Sequence, residues 1–145
     1  MKLHSEIKVY GDIEFRGKCP IESAEQITFF NILRSKYPDT YGLVAFHPRN
    51  EGKRSNNQTA RQKSEGLTKG VSDVFIPGFP SFVCEIKRQD HTKSRWEEGQ
   101  LPYLLTSKKL GSFVCVALGY KAALEALQDW EGVATTVATK QNRGN

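Results

Sequence analysis

Cysteine is scarce in this chain. The three present, Cys19, Cys84 and Cys115, form no CxxC pair, so neither a zinc ribbon nor a complete disulfide framework is expected. No HxxxH or Cys/His spacing suits zinc either. Long apolar runs are also missing. The longest, Phe113-Val114-Cys115-Val116-Ala117-Leu118, falls far short of the roughly 18–20 residues of a membrane span. The N-terminal MKLHSEIKVYG alternates charged and apolar residues and lacks the apolar core of a signal peptide. These absences fit a protein of a reducing cytoplasm. There is no internal repeat, low-complexity tract, linker, P-loop, GxGxxG or Ser/His/Asp order to pursue.

What is present reads as one globular domain over residues 1–145, with 38% hydrophobic and 26% charged residues. Lys and Arg outnumber Asp and Glu by 21 to 16, a net charge of +5 that favours an anionic partner. The excess is concentrated. Between Arg49 and Lys69, Arg49, Lys53, Arg54, Arg61, Lys63 and Lys69 face only Glu51 and Glu65, with Asn, Gln, Ser and Thr filling most of the rest. Such a segment can neutralise and hydrogen-bond phosphates, or simply form a solvated loop and polar helix face.

Residues 6–16 alternate Ile7, Val9, Ile13 and Phe15 around Tyr10-Gly11-Asp12, which predicts a β-hairpin within an N-terminal extension, 1–19. A helical period follows over 20–37, with Pro20, Glu22 and Glu25 at its start, Arg34 and Lys36 at its end, and an apolar stripe of Ile27, Phe30, Leu33 and Tyr37. Tyr41–His47 reads as a buried strand stopped by Pro48, and 55–65 as a polar helix ending at Gly66. Val71–Pro77 and Phe82–Lys87 are strands joined by the Pro77-Gly78-Phe79-Pro80 turn. A helix from Ser94 or Arg95, interrupted early by Gly99 and Pro102, reaches Leu110, Ser112–Leu118 is an apolar strand, and Tyr120–Trp130 is an amphipathic helix. A frayed tail is expected over 132–145. Strands mixed with helices predict an α/β fold, a mixed β-sheet flanked by helices.

Chemistry concentrates in Gly70–Ile76 and Phe82–Lys87. On a strand the side-chain period is two, so Glu85 and Lys87 share one face, while Phe82, Cys84 and Ile86 take the other and can bury. Strand pairing through the turn brings Asp73 beside Glu85. Two adjacent carboxylates repel unless a cation lies between them. A hard divalent ion such as Mg²⁺ accepts such oxygen ligands, and Lys87 adds a charge able to orient water or stabilise an oxyanion. Together they suit phosphodiester hydrolysis. The plain alternative is an exposed cross-strand Glu85–Lys87 pair with Asp73 as a turn residue.

Asp73…Glu85-Ile86-Lys87 resembles the PD-(D/E)xK nuclease signature, with Ser72 where that superfamily often has proline. The flanks resemble its VRR-NUC branch: Glu22 and Gln26 on a first helix, the Phe46-His47-Pro48-Arg49-Asn50-Glu51-Gly52 loop, Gly70 to Asp73, the Glu85-Ile86-Lys87 strand, Gln100 on a following helix, then Gly111 to Leu118 and a closing helix. The likeness spans roughly residues 20–130, leaves the hairpin unmapped, and implies a restriction-endonuclease-like core. It implies metal ligation by Asp73, Glu85 and the Ile86 carbonyl, with Glu22 approaching from the first helix. Lys87 would be the catalytic lysine, and Gln100 would position the lysine or the scissile phosphate. Glu25 competes with Glu22, but the two differ by about 300° around a helix. Glu22 is preferred because 22, 26, 29 and 33 share a face.

The resemblance thus implies a Mg²⁺-dependent DNA endonuclease, with Mn²⁺ able to substitute. It would be a phage-type homodimer acting on branched DNA, Holliday junctions or flaps, with Arg49, Asn50, Lys53 and Arg54 as DNA contacts. A catalytically silent DNA-binding module and a sequence-specific restriction-type nuclease are the alternatives. His47 fits a phosphate or metal contact or a structural role. Trp96 fits base stacking or packing. Cys84 and Trp130 read as core.

Overall fold

The structure, a computed structural model, describes residues 1–48 and 56–143, with 135–143 in backbone only. In chain order the strands are β1 (Lys8–Tyr10), β2 (Val74–Ile76), β3 (Phe82–Lys87) and β4 (Phe113–Leu118). The helices are α1 (Glu22–Lys36), α2 (Tyr41–Val44), α3 (Asn56–Ser64), α4 (Gln100–Lys109) and α5 (Tyr120–Arg143), with a 3₁₀ turn at His91–Lys93. The sheet order is β1-β4-β3-β2. β2 runs antiparallel to β3, whereas β3–β4 and β4–β1 are parallel, so the sheet is mixed and lies between helices as an α/β fold.

The alternation of β3 sorts its side chains onto two cores. Phe82, Cys84 and Ile86, with Val74, Ile76, Cys115 and Ala117, bury against Phe29, Phe30 and Leu33 of α1 and Ala123, Leu127 and Trp130 of α5. Val83, Val114, Val116 and Leu118 bury with Ile7 and Leu104 of α4 on the opposite face. Trp130 locks the first core: its ring lies 5.1 Å from Tyr41 and 5.6 Å from Phe82, and its Nε1 donates to the Pro80 carbonyl at 2.7 Å. Cys84 and Cys115 face each other across β3 and β4 as buried free thiols. Their mutual hydrogen bond, and then burial, raises the Cys84 pKa and keeps it an inert packing residue. No described helix is long and apolar enough to cross a membrane.

Four expectations change. The N-terminal hairpin is absent: β1 instead pairs in parallel with β4, Lys8 opposite Cys115. Its intended second arm is a turn, because Asp12 accepts from Glu14 N at 2.9 Å and Phe15 N donates to the Asp12 carbonyl at 3.2 Å, leaving Ile13 exposed. Tyr41–Val44 is a helical turn rather than a strand. Gly42 lies so close to α1 that a Cβ there would meet the Tyr37 and Leu33 carbonyl oxygens at 2.6 and 2.7 Å, and the Tyr41 ring packs at a tilt against Tyr37. Only Phe46 of this segment bridges a strand, at Phe75. On α1, Glu25, Phe29, Phe30 and Leu33 are buried and Ile27 is 61% exposed. Two residues rotate a helix by about 200°, so burying 25, 29 and 33 turns 27 outward. Finally, α5 continues through Arg143 in place of a frayed tail, as no proline interrupts it.

The N-terminal segment is held by Asp90. Its carboxylate accepts from Thr92 N at 3.1 Å, from the Thr92 hydroxyl, and from Gly17 N at 3.0 Å. The bond from the Thr92 hydroxyl, then that from Gly17 N and last that from Thr92 N, hold its pKa down at about 2. A depressed carboxyl pKa contributes stability above its unfolded value, and that contribution disappears as pH falls through the folded value. We therefore expect wild type to lose stability between about pH 4 and pH 2, with urea denaturation of Asp90→Asn distinctly flatter across that window.

Candidate active site

β3 carries the centre of the site. The β2–β3 register, Val74 opposite Cys84, continues by one residue to set Asp73 opposite Glu85. Asp73 Oδ2 accepts from the Ile86 N–H at 2.8 Å. Backbone N–H and C=O of one strand residue point to the same side, so the Ile86 carbonyl opens on the Asp73 edge. The Lys87 carbonyl faces the other way, accepting from Gly119 N at 2.9 Å. The expected ligand atoms, the Asp73 and Glu85 carboxyls and the Ile86 backbone, thus lie along one sheet edge.

Glu85 and Lys87 are each 1% exposed, which excludes an exposed cross-strand pair. The Lys87 ammonium donates to the Arg95 carbonyl at 2.7 Å and to Gln100 Oε1 at 3.0 Å. It lies 3.8 Å from Glu85 Oε1 and 4.0 Å from Glu22 Oε1, with the Trp96 ring centroid 5.6 Å away. Gln100 links the pair, since its Nε2 donates to Glu85 Oε1 at 2.9 Å while its Oε1 also accepts from Glu97 N at 2.9 Å. The other Glu85 oxygen, Oε2, is buried without a hydrogen-bond partner.

Burial pushes the Glu85 carboxyl well above the ordinary carboxylate range. The Asp73 charge and a hydrogen bond between the two carboxyls push the same way, as does Glu22, against a lowering by Lys87. Removing a carboxylate from water favours its neutral form, and a neighbouring negative charge compounds this. The pair therefore has the chemistry of a cation site: Glu85 Oε2 accepts from no fixed donor, and a divalent ion would replace the proton that the two carboxyls otherwise share.

Glu22 and Glu25 separate as helical geometry requires. Glu22 accepts from the Ser94 hydroxyl at 2.7 Å and stands beside Lys87. Glu25 is buried elsewhere, where it accepts from Gln89 Nε2 at 3.0 Å and from the N–H of Tyr120 at the start of α5. Engaged by Ser94 and Lys87, Glu22 does not join Asp73 and Glu85 in a single acidic cage. Among the described residues no group of three or more His, Cys, Asp or Glu side chains converges in that way.

Asp73 and Gln100 line a cleft of about 370 Å³ together with His47, Lys69 and Glu97. His47 Nδ1 is 2.8 Å from the Asp73 carbonyl oxygen, and Lys69 pairs with Glu98 at 2.6 Å. The Trp96 indole donates to the Lys2 carbonyl at 2.8 Å, so the ring packs across Lys87 and the N-terminus. Arg49, Asn50, Lys53 and Arg54 lie outside the described residues.

Ser94 and Arg95 escaped sequence reasoning. Ser94 Oγ joins Glu22 to the backbone N–H of Arg88, accepting from it at 3.0 Å, and Arg95 contributes only a carbonyl. Ser94 has a weak signal, a short polar residue beside a helix start; a backbone carbonyl has none. Gly70 gains a physical reason. Its φ is +77°, and a Cβ there would lie 2.1 Å from the Gly99 carbonyl carbon and 2.6 Å from Gln100 N. The Asp73 segment and the start of α4 therefore touch backbone to backbone.

No protein family matches the sequence, and no curated protein does. A search of solved structures finds similarity to a "VRR_NUC domain protein" at a TM-score of 0.62 and 19% sequence identity. The match covers 79% of this chain and 89% of the other. The chain has the fold of that protein.

Gly70→Ala should destabilise the protein by about 2 kcal/mol or more through left-handed strain and the Gly99 clash. Chemical denaturation measures this, and a Gly111→Ala control, with open space at its Cβ, should lose no more than the strain component.

Proposed function

We propose that this protein is a divalent-metal-dependent DNA endonuclease that hydrolyses phosphodiester bonds. The observation that carries the reading is the buried Lys87 ammonium, joined through Gln100 to Glu85, whose other oxygen is unpartnered beside Asp73. A VRR_NUC-type fold around that network supports it, as does the net charge of +5.

Asp73, Glu85 and the Ile86 carbonyl would hold Mg²⁺, or Mn²⁺ in its place. The ion would supply Lewis acidity and charge neutralisation at the phosphate. The chain's own groups supply the rest. Lys87, kept aimed by Gln100 and the Arg95 carbonyl, presents a fixed positive charge to the oxygens that become more negative as water adds at phosphorus and the ester P–O bond breaks. Glu22 and Ser94 hold the flank of that lysine. Asp73 and Gln100, facing the cleft, contact the scissile group.

The resemblance to VRR-NUC domains extends the proposal to branched DNA, junctions or flaps, and to a homodimer whose two-fold axis suits paired cuts. Arg49, Asn50, Lys53 and Arg54 are proposed as its DNA contacts, within a single domain spanning the chain.

Purified protein incubated with four-way, flap and linear DNAs should cut the branched substrates in Mg²⁺ and leave them intact in EDTA. Lys87→Ala should lower the rate by about 100-fold or more. Equal cleavage by the variant, or in EDTA, would remove Lys87 and the metal from the reaction. Binding without cleavage by wild type would mark a silent binding module, and discrete fragments from linear duplex a restriction-type enzyme.

A further inference from the structure

A second hollow adjoins the cleft. It has a volume of about 340 Å³, and His47 lines both. Its walls include two large apolar side chains that the fold does not bury, Ile27 at 61% and Phe46 at 47% exposure. Exposed apolar groups beside a polar cleft mark contact surfaces. Phe46 is not a loose loop residue. Its N–H and carbonyl both bond Phe75 at 3.0 Å, and its ring lies 5.3 Å from the Phe75 ring. The next residue, His47, contacts the Asp73 carbonyl. The backbone of Phe46 is therefore tied to β2, with its ring against Phe75, one residue from the His47 contact with the Asp73 carbonyl.

The remaining walls are polar in a particular way. Gln26 and Asn31 offer amide donors and acceptors, and the Arg34 guanidinium sits over the Phe30 ring at 5.2 Å. A fixed aromatic face, an aliphatic side chain, two amides and a guanidinium suit one unpaired nucleobase with its phosphate. Base–aromatic stacking is sequence-tolerant because every base has a π-face, and such a base can stack only once unpaired.

We infer that the hollow between α1 and Phe46 is a subsite for an unpaired nucleotide adjoining the scissile phosphate, with the base stacked on Phe46 and Ile27 and its phosphate paired with Arg34. This rests on the nuclease reading and deepens it, since it makes single-stranded character beside the cut a feature that the protein reads.

Binding in EDTA separates the two ideas, because affinity is measured without catalysis. Flap DNA and a blunt duplex of equal length are compared by fluorescence anisotropy. Phe46→Ala should weaken flap binding about tenfold while leaving the blunt duplex unchanged. Phe46→Trp should restore flap affinity, and its added emission should be quenched by the flap but not by the duplex. Arg34→Ala should lower the salt-dependence slope for the flap by about one. If Phe46→Ala binds flap as wild type does, or loses flap and duplex equally, the subsite is wrong while Mg²⁺-dependent cleavage can still stand. If wild type neither binds nor cuts any DNA, the nuclease reading falls and takes the subsite with it.

Discussion

A lysine ammonium buried at 1% exposure in the middle of a β-sheet protein is the constraint to which the surrounding structure answers. Stripping water from one such ion costs several kcal/mol unless donors and counter-charges are replaced. Here the Arg95 carbonyl and Gln100 take hydrogen bonds from Lys87, and Glu85 and Glu22 stand within 4.0 Å. Each partner arrives from a different segment. β3 supplies Glu85, α1 supplies Glu22, the loop preceding α4 supplies the Arg95 carbonyl, and the first turn of α4 supplies Gln100. The Gly70–Gly99 contact fixes where that turn begins, and so where Gln100 can reach.

The network is satisfied on one side only. Lys87 and Glu85 Oε1 have hydrogen-bond partners, whereas Glu85 Oε2 accepts from no fixed donor and the carboxyl is pressed toward its neutral form beside Asp73. An isolated polar atom of this kind weakens a fold. Such defects cluster where function requires them, since groups aimed at a ligand cannot also be satisfied by the protein. A divalent cation would complete the missing half. The same reasoning extends outward, as Phe46 and Ile27 leave apolar surface uncovered in the hollow beside the cleft.

Much of this was legible in the sequence because it depends on short-range periodicity. The alternation of Phe82–Lys87 put Glu85 and Lys87 on one face, and helical rotation separated Glu22 from Glu25. What could not be read depends on partners distant in sequence. Nothing near Lys8–Tyr10 announces a parallel partner at Cys115–Ala117, so the alternation on its own reads as the nearest possible hairpin. Tyr41–Val44 has strand-like composition, but the contact of Gly42 with α1 and the edge-to-face packing of Tyr41 on Trp130 impose a helical turn. Ile27 completes a plausible stripe with Phe30 and Leu33, yet the buried face centres on Glu25, whose carboxylate caps α5. A buried acid masks an amphipathic pattern.

The account is tested most directly by locating a metal. Crystals of the protein soaked in MnCl₂ and measured at the manganese absorption edge should give anomalous density between Asp73 and Glu85, within about 2.5 Å of a carboxylate oxygen of each and on the Ile86 carbonyl side. That density should vanish in Glu85→Gln. Manganese bound elsewhere, or undiminished in the variant, would contradict the claim that this acidic pair is built to share a cation beside Lys87.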